Sequence, residues 1–240
     1  MANIVLVHGA WHGGWCWVRV AEPLRRAGHR VITPTLTGLG ERAHLGTPET
    51  NLDTHISDVT AAIEAEEMEN AILCGHSYGG IVITGAADRI ADRLSALVYL
   101  DAFIPDDGQS MQDLLPPERR EQAEKVVAER GDGWLVPARS AESFDVADAA
   151  DRDWVDRRCV AHPFGTMKQG VSLTGAWENV PHKSYIKAEG YKRSPFGPYA
   201  DRVRNDPAWS YIETDCGHDV MVDDPDWLSG VLLKIAEEIS

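Results

Sequence analysis

At 240 residues with 43% apolar content, the chain is long enough to bury one substantial core, and two separate domains would be a squeeze. Its 38 acidic against 23 basic residues give a formal net charge of −15, which argues against nucleic acid or an anionic membrane surface as partner, because both would be repelled. Met1-Ala2-Asn3 leads straight into the apolar run Ile4-Val5-Leu6-Val7, without a basic region, a long apolar stretch or a cleavage-like site, so secretion and membrane spanning are not expected.

Short β-rich runs then alternate with helical patterns: a strand over 3–7, a helix over 16–27 closed by Gly28, a strand over 29–33 and a helix over 53–68. A strand over 70–75, a helix over 79–90 and a strand over 96–101 follow. Such alternation predicts an α/β fold, a parallel sheet with helices on both faces. After Asp101 the pattern breaks. Residues 105–181 hold Pro116-Pro117, the charged helical stretch from Glu118 to Arg130, and a segment rich in Asp and Ala with Trp134, Phe144, Trp154 and Phe164. This stretch reads as a helical cap inserted into a core made of 1–104 and 182–240. The alternation resumes with a strand over 184–188, a helix over 198–205, a strand over 209–214 and a last helix from Pro225 to Ser240, opened by the capping pair Asp224-Pro225. Cys16, Cys74, Cys159 and Cys216 are scattered without a C-x-x-C pair, which reads as reduced thiols in a cytoplasm.

The most informative motif is Gly75-His76-Ser77-Tyr78-Gly79, a G-x-S-x-G pentapeptide between the apolar run 71–74 and a helix-compatible segment. Glycines two positions either side of a serine remove the Cβ atoms that would collide where the chain reverses, so the hydroxyl stands exposed on a strained turn. The bare pattern would arise in about one chain of this length in ten at Gly and Ser frequencies of roughly 7%. Its flanks and partners must therefore carry the rest.

A serine hydroxyl needs a base within reach, usually histidine. Of nine histidines, His218 fits best, because it follows the last strand in a loop, and loops at the carboxyl ends of parallel strands converge on one edge of the sheet. His76 reads as a packed histidine pointing away from the elbow. His8 and His12 have i, i+4 spacing but lie in a Gly-rich loop, not on a helix, with no H-E-x-x-H carboxylate, so no metal is expected. That same loop, His8 to Gly14, follows the first strand, where the Ala10 N–H could join the Tyr78 N–H as an oxyanion hole. The acid is either Asp101, ending the apolar run 97–100, or Glu189, ending the next strand; Asp101 is preferred, since Glu189 sits among Lys187, Lys192 and Arg193 as a surface residue would. Asp215 is a distant third. Gly38-Leu39-Gly40-Glu41-Arg42-Ala43 fits G-x-G-x-x-A, but Pro34 and Pro48 break the strand and helix that dinucleotide binding requires. Trp11, Trp134 and Trp154 are the candidate substrate-binding residues.

Taken together, His8-Gly9-Ala10-Trp11-His12-Gly13-Gly14-Trp15-Cys16-Trp17, Gly75-His76-Ser77-Tyr78-Gly79-Gly80 and Gly217-His218 resemble the α/β-hydrolase superfamily. The chain looks most like the branch that holds plant methyl esterases, hydroxynitrile lyases and bacterial carboxylesterases of the pyrethroid-hydrolase type. The resemblance implies a six-stranded, mainly parallel sheet, a helical cap, no cofactor, and a triad of Ser77, an acid and His218, with Ala10 and Tyr78 as oxyanion donors. Two departures stand out. The plant members carry their acid as an aspartate just past the strand that corresponds to 184–188, where this chain has Glu189-Gly190-Tyr191-Lys192; the lyases carry a lysine directly after the catalytic histidine, where this chain has Asp219. The first strengthens Asp101 and the second disfavours cyanohydrin cleavage. The expected activity is hydrolysis of small to medium hydrophobic carboxylic esters through an acyl-enzyme. A lyase using the same triad and a non-catalytic ligand receptor on the same fold are the alternatives. The expected partner is a small-molecule ester, and the sequence permits, without requiring, a homodimer.

Overall fold

A computed structural model describes residues 1–239. Its centre is a six-stranded sheet of β1 (Asn3–Val7), β2 (Arg30–Ile32), β3 (Ala71–His76), β4 (Leu94–Leu100), β7 (His182–Ala188) and β8 (Trp209–Thr214) in the order β2-β1-β3-β4-β7-β8, every neighbouring pair parallel. β3 is buried along its whole length and β4 nearly so, which is why both read as continuous apolar runs without alternation. Helices α1 (Val18–Arg26), α2 (Leu52–Ala65), α3 (Gly79–Ile90), α7 (Gly197–Arg204) and α9 (Pro225–Glu238) connect and cover these strands. The expected first helix begins instead as a 3-10 turn over Gly14–Trp17. The chain's own caps set the helix starts: Asn51 and Thr54 exchange side-chain and backbone bonds at α2, and the Asp224 carboxylate accepts from Trp227 N–H at α9. α9 ends at Glu238, and the expected continuation to Ser240 lies outside the described residues.

Between β4 and β7 the chain leaves the sheet. It forms α4 (Pro117–Arg130), α5 (Ala149–Asp156), the one-turn α6 (Gly165–Lys168) and a two-stranded antiparallel ribbon of β5 (Leu135–Val136) with β6 (His162–Pro163). α4 buries only Val127, as its charged sequence implies, whereas the ribbon is tied to the loop after β1: Trp11 Nε1 donates to Val136 O and Val160 N to Trp11 O. None of the described helices is long and apolar enough to cross a membrane.

Candidate active site

Ser77 follows β3 directly with φ +56°, in the left-handed region that a non-glycine residue rarely occupies. The turn is pinned on both sides: Ser77 N–H donates to Leu100 O of β4, and Ser77 O accepts from Gly80 and Phe103 N–H. Neither flanking glycine has room for a side chain. A Cβ on Gly75 would stand 2.6 Å from Gly79 O, and one on Gly79 2.8 Å from His8 O. β3 can therefore reverse into α3 against the loop after β1 only with glycine at these two places, which leaves Ser77 facing a cavity of about 710 Å³. Ala10, His12, His76, Phe144 and His218 line the same cavity.

His218 reaches that cavity from the loop after β8. Its backbone is held by two bonds, His218 N–H to Phe144 O and His76 Nε2–H to His218 O, and its ring packs against those of Tyr191, centroid at 4.6 Å, and Phe196, at 5.1 Å. His218 Nδ1 lies 2.6 Å from Asp101 Oδ2. Asp101 directly follows β4, with φ +39°, and has no solvent exposure. Its other oxygen, Oδ1, accepts from Lys187 Nζ at 3.1 Å and from Ala188 N–H at 3.4 Å, both from β7. Lys187 is itself buried and donates a further bond to Ala188 O at 2.6 Å. A buried carboxylate bonded through both oxygens to a histidine and an ammonium is held in one orientation. Glu189 points elsewhere: its side chain is 43% exposed and pairs with Arg204.

A second buried carboxylate follows His218 in sequence. Asp219 Oδ2 is 3.1 Å from His12 Nε2, and His12 Nδ1–H donates to Ala10 O at 2.8 Å. Burial alone would raise Asp219 and lower His12, but their mutual attraction wins, leaving the carboxyl at about 2 and the imidazole well above its ordinary value, with Cys159 also raising it. His12 is therefore an imidazolium that clamps the loop carrying Ala10. Four further buried histidines are held neutral, each depressed mainly by burial: His8 to about 3, His55 to about 4, His76 and His162 well below 6.5. Each holds backbone or a neighbouring hydroxyl. His8 accepts from Leu36 N–H, His55 accepts from the Tyr78 hydroxyl while donating to Thr37 O, and His162 accepts from Trp11 N–H while donating to Thr166 Oγ1. Among the described residues the N–H groups of Ala10 and Tyr78 donate to no protein acceptor. One ligand atom each of His76, His218 and Asp219 comes within 4.8 Å of the others, yet His76 Nε2 is spent on His218 O and His218 Nδ1 on Asp101.

Of the three candidate tryptophans, only Trp11 lines the cavity. Trp154 packs edge-on against Trp15 at 4.9 Å, with the guanidinium groups of Arg19 and Arg158 each 4.9 Å from its ring, because α5 turns it toward α1. Trp134 instead sits over Gly46, whose Cβ position is 3.7 Å from its ring, and its carbonyl accepts from Phe164 N–H. Sequence reasoning missed Lys187, taken as exposed company for Glu189, and the clamp formed by His12 and Asp219. The aromatic wall of His218 also went unread. A more open groove of about 760 Å³, lined by Glu142, Asp145 and Asp223 among others, contains neither Ser77 nor His218.

The sequence profile described as the alpha/beta hydrolase family matches residues 4–231. A carbendazim hydrolyzing esterase from Nocardioides sp. (strain SG-4G) is 49% identical over 243 residues, covering 98% of this chain and 100% of that protein. An alpha-hydroxynitrile lyase from Arabidopsis thaliana is 36% identical over 105 residues, 43% of this chain and 41% of its own. Among solved structures, an extracellular alpha/beta-hydrolase from a Paenibacillus species, described as sharing structural and functional homology with tobacco salicylic acid binding protein 2, superposes with a TM-score of 0.86 at 24% identity, covering 98% of each chain.

Proposed function

We propose that this chain, which belongs to the alpha/beta hydrolase family, is a serine hydrolase that cleaves carboxylic esters through an acyl-enzyme, with Ser77, His218 and Asp101 as its triad. The observation that carries the triad is the 2.6 Å contact from His218 Nδ1 to Asp101 Oδ2 beside the cavity that Ser77 faces. With Nδ1–H committed to Asp101, His218 Nε2 is the ring nitrogen that takes the Ser77 proton as Oγ attacks the ester carbonyl carbon. Negative charge then develops on the carbonyl oxygen, where the N–H groups of Ala10 and Tyr78 would receive it; one such donor is typically worth about 100-fold to 1,000-fold in rate. His218 returns the proton to the departing alkoxide. Water attacks the acyl-enzyme by the same route, releasing the acid and restoring Ser77. Asp101 stays ionised throughout and stabilises the imidazolium, while Lys187 fixes the plane of its carboxylate.

Three further readings accompany this one. Residues 105–181 act as a cap, since Met111, Leu115, Val126 and Val136 from that stretch roof the cavity. With Phe103, Phe144 and Phe196 they make a largely apolar chamber that suits small to medium hydrophobic esters. The four unpaired cysteines suit a cytoplasmic setting. Turnover of p-nitrophenyl acetate by the wild-type chain, and its loss in Ser77→Ala, tests the central reading; a Ser77→Ala protein that retains wild-type turnover overturns it.

A further inference from the structure

The cavity that Ser77 faces is electrically unlike the rest of the molecule. The chain as a whole carries 38 acidic and 23 basic residues, yet four guanidinium groups, Arg119, Arg130, Arg139 and Arg193, line this one cavity against a single carboxylate, Glu118. No ion pair within 4 Å involves any of the four among the described residues, although most other arginines of the chain find an acid. Their polar partners are uncharged in the ordinary state: Arg119 donates to the backbone carbonyl of Arg193, and the Tyr191 side chain lies beside Arg139.

Arg139 is the innermost. It sits half-buried in the loop between β5 and the 3-10 turn at Ala141–Phe144, with its guanidinium carbon 5.9 Å from the Trp11 ring and 5.7 Å from the Phe144 ring. Those rings flank the reacting centre: Trp11 follows Ala10, and the Phe144 ring lies 5.9 Å from that of His218. Burial, partly countered by Tyr191, and then the charges of Arg119 and Arg193 press Arg139 toward its neutral form. Like charges converging without a counter-ion on a partly desolvated wall are costly, and an anion that bridges them relieves the cost. A planar guanidinium over aromatic faces is also suited to bidentate binding of a carboxylate.

We propose that these arginines, with Arg139 at their centre, form a subsite for a carboxylate on the substrate, so that the preferred esters carry a second, anionic group besides the bond that is cleaved. The inference rests on the esterase reading and narrows its substrate class: an apolar chamber for the body of the ester and a cationic wall for its charged end. It also predicts that the net negative surface of the protein does not deter such substrates at the cavity itself, because the local field there has the opposite sign.

Two matched pairs of substrates test it, one for each half of the ester. Mono-4-nitrophenyl glutarate against 4-nitrophenyl butyrate places the charge on the acyl half, and 4-acetoxybenzoate against phenyl acetate places it on the alcohol half. The readout is the ratio of kcat/KM for the charged to the neutral member. In the wild type the ratio is expected above one for at least one pair. It should fall about tenfold in Arg139→Gln, less in Arg193→Gln, and also fall as salt rises from about 0.01 M to about 1 M, which shortens the screening length from roughly 30 Å to 3 Å. Ratios at or below one in both pairs, or ratios that Arg139→Gln leaves unchanged, overturn the subsite. The neutral members separate the two levels of the argument, since neutral esters that are hydrolysed through Ser77 with no charge preference sink the subsite and leave the esterase, whereas failure to hydrolyse either member sinks the esterase itself.

Discussion

Two carboxylates without solvent exposure stand beside His218, and they are built for different work. Asp101, at the end of β4, meets the Nδ1 of His218 and a lysine; Asp219, at the start of α8 (Val220–Asp223), meets the imidazolium of His12, whose far nitrogen holds Ala10 O. The first controls the orientation of the proposed base. The second ties down the strand-to-helix loop that would receive the oxyanion. Nearness to the histidine is therefore not what makes a triad acid; the ring nitrogen that it engages is, and Asp219, though adjacent in sequence, engages none of His218's. Removing the two carboxylates should accordingly damage different quantities.

The largest expected effect is kinetic. Asp101→Asn should lower kcat on p-nitrophenyl acetate by about 10⁴-fold, the scale seen when a triad histidine loses the partner that fixes its tautomer. The rate is to be read on protein shown folded by circular dichroism, because the substitution also strips Lys187 of its counter-ion. A loss below about tenfold would mean that His218 is oriented by something other than Asp101.

Asp219→Asn should instead strike stability, by about 3–5 kcal/mol, the usual cost of leaving a buried charge without its partner. The pH dependence identifies the pair. His12 is raised in the folded chain, so its contribution is complete below about 6.5, the unfolded value, and is lost as pH rises through the folded value. Asp219 is depressed to about 2, so its contribution is present above about 3.9 and is lost as pH falls through about 2. His8, at about 3, and His55, at about 4, are depressed and oppose His12 in sign: their contribution is present above about 6.5 and fades as pH falls toward those values. Urea midpoints across pH 4 to 9 should thus decline on both sides of about 6.5 in the wild type, and lose the alkaline decline in Asp219→Asn. An alkaline limb that survives the substitution would show that His12 does not owe its proton to Asp219.

A third substitution separates packing from clamping. The double variant His12→Leu with Asp219→Leu removes both charges, so it should recover much of the stability lost in Asp219→Asn, since apolar replacement of a whole buried pair is often close to neutral. It should still lose about 10²-fold in kcat, because Ala10 O no longer has its donor and a small displacement of a reacting group costs about that much. Full activity in the double variant would reduce His12 to a filler of space.

Much of this arrangement was legible in the sequence, and the legible parts share a cause. The alternation of strands and helices, the glycines around Ser77 and the loop after the last strand are local or topological rules, so they hold whatever packs around them. Asp101 was readable for a related reason: an acid closing a run of four apolar residues has to be met by something. Lys187 was not, because its neighbours in sequence are charged and its burial depends on the register that pairs Leu100 with Ile186, setting Asp101 beside Lys187. Trp134 and Trp154 illustrate the same limit. Large aromatic residues in 105–181 suggest a chamber wall, but which face they take is decided by contacts with Gly46, Trp15 and Arg19, far away in sequence.

The smallest expected effect is the sharpest check on the choice between acids. Glu189 directly follows β7, where the resemblance to plant esterases leads one to look for the acid, but its side chain is about as exposed as that of its partner Arg204, at 43% and 42%, and their separation is 3.4 Å. Exposed pairs of this kind contribute little to stability, because water screens them and holding two long side chains in one geometry costs entropy. Glu189→Gln should therefore shift the urea midpoint only slightly and leave kcat within about twofold, because screening by water prevents an exposed carboxylate from acting on His218. A loss on the order of 10⁴-fold in this variant, with Asp101→Asn little changed, would move the acid to the end of β7 and leave the Asp101 and Lys187 pair as a purely structural bond between β4 and β7.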